Sequence, residues 1–187
     1  MDNKRQWLMA GLFILGLSTI TCAESLKLNP AKSTAEFSVS NMGIHKVHGR
    51  FKTLTGKIEY DAATPTKSIV LVSIQTESID TDNPKRDHHL RSSDFFDTAR
   101  FPQISYVSQS ITPVGDHYVM QGTLIMKNVI KPVPVSFTFD STREANGKTL
   151  LKAKGHTSIK REDFGITYGN GFMVGHTVNI DLTVEAE

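Results

Sequence analysis

The sequence predicts an all-β domain of about eight antiparallel strands, folded as a sandwich or closed into a barrel, and three observations predict it. From residue 33 onward apolar and polar residues alternate with a period of two, which places every second side chain on one face of a strand. Turn chemistry separates the alternating runs. Stretches with a helical period are scarce.

The first run sets Phe37 and Val39 against Glu36, Ser38 and Ser40. Asp61 to Thr66, with Pro65, then predicts a turn before Val70, Val72 and Ile74, which alternate with Ile69, Leu71 and Ser73. Ile104 and Tyr106 flank Ser105; after the Pro113 to Asp116 turn, with Gly115, Tyr118, Met120, Gly122, Leu124 and Met126 share one face. Val133, Val135, Phe137 and Phe139 form the next run, which ends at the Asn146-Gly147 hairpin signal. Leu151, Ala153, Gly155, Thr157 and Ile159 follow, and Val178, Ile180, Leu182 and Val184 make the clearest run, alternating with Thr177, Asn179, Asp181, Thr183 and Glu185. Short polar turns predict meander connectivity. A barrel leaves no exposed edge, and glycines at 49, 56, 122, 155 and 175 suit a strongly coiled one.

The exception is Asp82 to Asp97, which predicts one or two short helices near residues 83–97. Asp82 or Asn83 can cap, Pro84 fits the first turn, and Arg86 to Ser92 has no strand period.

Composition bounds the class. With 187 residues, 39% hydrophobic, 21% charged and seven prolines, the chain reads as one globular unit, outside the collagen-like, coiled-coil and disordered classes. Residues 1–23 read as a cleaved secretory leader: Lys4 and Arg5 precede an apolar, uncharged Trp7 to Leu17, and Thr21-Cys22-Ala23 supplies small residues before Glu24. This leaves residues 24–187 as a single secreted domain. The alternative, Cys22 as a lipoprotein cysteine, lacks the small residue wanted just before it. Cleavage after Ala23 removes the one cysteine and with it thiol chemistry. The net charge of +2 carries no footprint for nucleic acid.

Catalytic signals are few. There is no G-x-S-x-G, H-E-x-x-H or phosphate-cradling glycine loop. His45 and His48, three apart on an extended chain, point to opposite faces and read as solvated histidines. Asp80, Asp82 and Asp87 fail as a calcium loop because Lys85 and Arg91 occupy the glycine and glutamate positions. His88-His89 beside Asp87 reads better as a structural network than as an acid-base pair. No metal site and no cofactor is expected. Lys85-Arg86-Asp87 with Arg91 fits either an anion site or a helix tied by ion pairs to the barrel rim. Phe95, Phe96 and Phe101 fit a core plug or a ligand platform, and Met120, Met126 and Met173 fit packing or a flexible apolar guest.

Ser78-Ile79-Asp80-Thr81, Arg86-Asp87-His88-His89-Leu90-Arg91-Ser92-Ser93-Asp94-Phe95-Phe96-Asp97 and Phe101-Pro102 resemble the signature of the YceI-like family of polyisoprenoid-binding periplasmic proteins. Gly122-Thr123-Leu124, Lys131-Pro132-Val133, Arg161-Glu162-Asp163-Phe164-Gly165 and Val174-Gly175 continue it, so the resemblance covers residues 26–186. Ile125 to Ile130 and His176 depart from the family pattern, both near strand ends.

The resemblance implies a lipocalin-like eight-stranded antiparallel barrel holding an isoprenoid or another long-chain amphiphile, such as a quinone or fatty-acid derivative, without chemistry on it. The expected cavity lining is Phe37, Val39, Val70, Val72, Ile104, Tyr106, Met120, Leu124, Met126, Val135, Phe137, Ile180 and Leu182. Arg86, Asp87, His89 and Arg91 are expected to frame the mouth and meet a polar head group. A transient contact with a membrane or membrane protein is compatible with this, as are monomer and homodimer. The alternatives are a partner of a membrane electron-transfer protein, acting through its surface, and a periplasmic enzyme on a lipid-like substrate.

Overall fold

The structure, a computed structural model, describes residues 23–169 and 171–187. The expectations of a leader over residues 1–23 and of Cys22 lipidation lie, but for Ala23, outside the described residues.

Twelve strands, several of them segments of longer ribbons, make one antiparallel sheet among the described residues. They are β1 (Glu24–Lys27), β2 (Thr34–Asn41), β3 (His45–Phe51), β4 (Leu54–Tyr60), β5 (Ile69–Gln75), β6 (Ile79–Asp80), β7 (Gln103–Val114), β8 (His117–Met126), β9 (Val129–Pro132), β10 (Val135–Arg143), β11 (Thr149–Lys160) and β12 (Val174–Ala186). One helix, α1 (Pro84–Arg91), lies between β6 and β7.

Sheet order runs β1-β4-β5-β7-β8-β10-β11-β12, and the ring of eight closes where β1 returns to the end of β12. Leu28 bridges Ala186 there, and Lys27 and Glu187 exchange backbone hydrogen bonds of 2.8 and 3.0 Å. Higher on the wall β2, β3 and β6 carry the sheet on from β12. β1–β2, β3–β4 and β5–β6 are thus three long staves with kinks, and the barrel is an eight-staved meander. Closure leaves this part of the sheet with no edge to protect.

The stave formed by β3 and β4 was not among the alternating runs. Its signal is present but diluted by glycine: Val47, Gly49 and Phe51, then Leu54, Gly56, Ile58 and Tyr60. The run from Val133 is interrupted by Pro134, so β9 ends at Pro132 and β10 begins at Val135. Pro132 and Pro134 lack the N–H a continuous ladder needs. Residues 83–97 form a single helix: Asn83 caps it, its side chain accepting from Arg86 N at 3.0 Å, Pro84 begins the first turn, and Asp82 instead adopts a left-handed φ of 56°.

Connections alternate between the barrel ends. Turns 61–68, 115–116 and 144–148 lie at one end; turn 42–44, α1 with residues 92–102, turn 127–128 and residues 161–169 and 171–173 lie at the other, called the mouth here. Two apolar clusters mark these ends. Leu26, Leu54, Ile58, Tyr60, Leu151 and Ala186 pack at the far end, and Phe51, Ile79, Phe95, Met126, Phe164 and Ile166 pack toward the mouth.

Candidate functional site: the barrel cavity and its mouth

Between the two clusters the barrel encloses a cavity of about 260 Å³. Period-two alternation on the staves sends one set of side chains inward, and closure brings those sets together. All thirteen residues expected on the lining are on it, from Phe37 and Val39 on β2 to Ile180 and Leu182 on β12. Along β12 the lining runs from Val174 to Val184, which is ~34 Å of strand at ~3.4 Å per residue. With strands tilted ~40°, that corresponds to ~26 Å along the barrel axis.

Two glycines make room inside. Tyr106 lies across Gly122, where a Cβ would overlap the phenol ring, and Phe37 lies across Gly49 in the same way. Tyr106 donates to the Val133 carbonyl at 2.9 Å, so its hydroxyl is satisfied, and burial pushes its pKa up to about 12. The cavity meets a phenol that stays neutral and is already bonded.

Charged residues touch the lining at two places. Glu36 is exposed and reaches it only at the edge. Arg161 is 3% exposed, and its five N–H groups all go to backbone carbonyls: Gly175, Ile166, Tyr168, Gly169 and Val174, at 2.8 to 3.1 Å. Glu162 adds an ion pair at 3.0 Å. Arg161 therefore fixes residues 166–169 and 174–175 and has no donor left for a guest. The sequence places it within a family-like motif, but the bonds that use it run to carbonyls, which every residue has, so no spacing reveals them.

The mouth is plugged by aromatic rings. Phe95 is 8% exposed and packs against His89 and Tyr168, with ring centroids 5.0 and 5.1 Å away. Phe96 stands edge-on to Phe51 at 5.6 Å, and Phe51 touches Phe37 at 5.8 Å. Lys127, held at φ 50° in the β8–β9 turn, donates to the Phe95 carbonyl at 2.5 Å and ties the plug to that turn. Leu90, Phe95 and Phe96 thus line the cavity as well as closing it. Phe95 and Phe96 are both plug and wall, the two roles between which their sequence left the choice open.

The head-group expectation needs correcting at three of four residues. Asp87 is 6% exposed and accepts from Thr81 N and Oγ1, at 2.9 and 2.5 Å. Arg86 donates to Thr81 Oγ1 and O, and Arg91 to the carbonyls of Glu77 and Ile79. These three tie α1 to β6 and the turn before it; none lines the cavity. The rim-anchoring alternative describes them, with backbone carbonyls doing most of what ion pairs were expected to do. His89 is different: it meets Asp94 at 3.0 Å and stands between the Phe95 and Tyr168 rings, beside the plug.

His45 and His48 are both exposed on β3, and among the described residues no group of three metal-ligating side chains converges. Below the plug, on the outer wall, Arg50 and Lys52 bind Asp80 at 2.9 Å each. The Lys52 ammonium, with the Asp82 backbone N–H and Arg50, holds the Asp80 carboxyl down at about 2. What the cavity offers chemically is a long apolar slot whose nearest polar groups are satisfied from within. Among the described residues no nucleophile on the lining stands beside a base.

The model of the YceI-like domain family matches residues 26–186. A UPF0312 protein of Shewanella denitrificans is 36% identical over 157 residues, covering 83% of this chain and 82% of the relative. A UPF0312 protein of Ectopseudomonas mendocina is 29% identical and covers 99% of this chain and 97% of its own length. Among solved structures, the Campylobacter jejuni YCEI protein superposes with a TM-score of 0.71 at 26% identity, covering 77% of this chain and 86% of that one. Burkholderia cenocepacia BcnA shares the fold with a TM-score of 0.78 at 24% identity, covering 86% and 99%. A domain from Saccharophagus degradans described as polyisoprenoid binding shares it with a TM-score of 0.67 at 18% identity, covering 87% and 97%.

Proposed function

We propose, since this chain belongs to the YceI-like domain family, that it is a lipid-binding protein that holds one long apolar chain in its barrel and does no chemistry on it. The observation that carries this reading is the lining. It is apolar from β1–β4 to the plug, and its three buried polar groups are satisfied by the protein itself: Tyr106 and Arg161 on backbone carbonyls, Tyr60 on the Ser141 hydroxyl. A polar substrate would find no partner there. A hydrocarbon needs none, because each CH2 taken from water contributes about 0.8 kcal/mol before the cost of ordering the chain.

At about 260 Å³ the cavity lies just under the ~300–1,000 Å³ usual for ligand sites, and its length favours a slender guest over a globular one. An isoprenoid, a quinone tail or a fatty-acid derivative meets that shape, and the Saccharophagus degradans domain of the same fold is described as binding a polyisoprenoid. In this reading residues 1–23 export the chain to the periplasm and are removed after Ala23, and the barrel stores or transports its lipid there.

The test is organic extraction and native mass spectrometry of exported protein. Wild type is expected to carry one long-chain lipid at a mass lacking the leader. Leu124→Asp and Phe137→Asp should lose it, since an unpaired charge in a dry cavity is costly. Far-ultraviolet circular dichroism confirms that strand content survives. Folded variants that keep their lipid would overturn the cavity as its site, and diacylglycerol on Cys22 would overturn the soluble carrier.

A further inference from the structure

The mouth carries an apolar patch that the cavity does not use. Ile44 and Met42, at the tip of the β2–β3 hairpin, are 84% and 50% exposed; Phe172 and Met173, on the segment before β12, are 64% and 46% exposed. The two segments touch. Met42 N donates to the Met173 carbonyl at 3.4 Å, and the Phe172 ring lies against Gly43, 3.2 Å from where a Cβ would stand. Single exposed apolar residues are ordinary, but four gathered at one end of a barrel form a patch of the kind that marks an interaction surface.

Backbone geometry points the same way. Met42 and Gly43 have φ of 51° and 71°, a pair that glycine or asparagine adopts most readily in a tight hairpin. A methionine held left-handed and half exposed at such a tip gains nothing in folding that asparagine would not supply better.

Charge supplies the complement. At this end the carboxylates Asp80, Asp82, Asp94, Asp97, Glu162 and Asp163 are engaged by basic side chains of the protein itself. Lys46, Lys85 and Lys160 at the same end make no ion pair among the described residues. Lys46 lies just behind the hairpin tip, in a shallow outer groove with Ser38, Ser40, His176, Thr177 and Asn179, where His176 also meets Glu162 at 2.7 Å. The unbalanced charge beside the patch is therefore positive, over hydroxyl and amide groups suited to an anionic oxygen.

We propose that the mouth end docks on an anionic lipid bilayer: Met42, Ile44, Phe172 and Met173 enter the boundary between headgroups and acyl chains, and Lys46 with its groove meets a lipid phosphate. An apolar tip flanked by lysines is the arrangement that binds such a surface, through buried area and attraction to anionic lipid together. The role of the contact, setting the plugged opening against the membrane, rests on the lipid-binding reading; the contact itself does not.

Flotation of the mature protein with phosphatidylcholine vesicles, with and without phosphatidylglycerol, tests it. Binding is expected on the anionic vesicles and should weaken as salt rises. Met42→Asn combined with Ile44→Ser relieves the left-handed tip while removing apolar surface, and should weaken binding roughly tenfold or more. Lys46→Glu should weaken it by a similar factor and flatten the salt dependence. Val114→Ser, at a residue 45% exposed at the opposite end, should change nothing. Absence of wild-type binding, equal loss with Val114→Ser, or full binding by the double variant overturns the proposal. So does a wild-type dimer that the double variant converts to monomer, since a second copy would then cover the patch. Extracting the same preparations separates the two readings: docking by lipid-free protein leaves this one standing, and lipid-loaded protein that ignores vesicles overturns only this one.

Discussion

The Tyr106 ring lies over Gly122 on the inner wall, its hydroxyl 2.9 Å from the Val133 carbonyl, so one residue without a side chain decides where this phenol sits in the barrel. Gly122→Ala should drive a methyl group into that ring. The expected cost is about 1–3 kcal/mol, as in overpacked cores. Urea melts should show it, and Tyr106→Leu in the same chain should recover part of the loss.

The same tyrosine makes the barrel sensitive to alkali. Burial raises its pKa from 10.0 to about 12 in the folded protein. Below pH 10 the phenol is neutral folded and unfolded. Between about 10 and 12 the unfolded chain releases the proton first, so stability falls as pH rises through that window. Tyr106→Phe should remove this part of the decline while losing about 0.5–1.5 kcal/mol at neutral pH with the hydrogen bond. Melting temperatures across pH 9 to about 12 distinguish the two effects.

Asp80 has the opposite sign. Lys52, the Asp82 N–H and Arg50 hold it at about 2 against an ordinary 3.8, so its contribution is present above pH 4 and disappears as pH falls through about 2. Asp80→Asn should flatten the acid limb of the stability curve over that range. An unchanged limb would show that the exposed cluster is screened to insignificance.

Arg161 holds five carbonyls, and no other side chain has five donors in a planar fork. Arg161→Lys keeps the charge but offers three donors at most. It should cost about 3 kcal/mol or more through stranded buried groups. Hydrogen exchange should localise the loosening to residues 166–175 before the rest of the barrel opens.

Phe95→Ala should unplug the mouth. Removing a buried phenylalanine costs about 3–5 kcal/mol, and stopped-flow transfer of a fluorescent long-chain lipid should quicken. His89→Ala, beside the plug but partly exposed, should leave stability within about 1 kcal/mol while also quickening transfer. Unchanged rates in both would place the lipid's route at the other end.

The amino-acid sequence by itself determined seven of the eight staves and which of their side chains face inward, because a strand's period of two assigns a face without reference to any neighbour. Phe37, Leu124, Phe137 and Leu182 could be placed that way. Where glycine thins the pattern, as at Gly49 and Gly56, the stave of β3 and β4 stayed unread. The Asn83-Pro84 start of α1 was legible for a related reason: capping and a first-turn proline are local chemistry.

Tertiary structure decided the rest. The charges of Arg86, Asp87 and Arg91 suggested a mouth meeting a head group; folding turned them to the backbone of residues 77–81, because a guanidinium bonds to whatever carbonyls lie within reach. Arg161 is the same case carried furthest. The mouth patch is a third: Ile44 and Phe172 lie 128 residues apart in sequence, and the β2–β12 pairing sets their segments side by side. Alternation reports which face a residue takes; only closure of the barrel, a long-range event, reports what stands across from it.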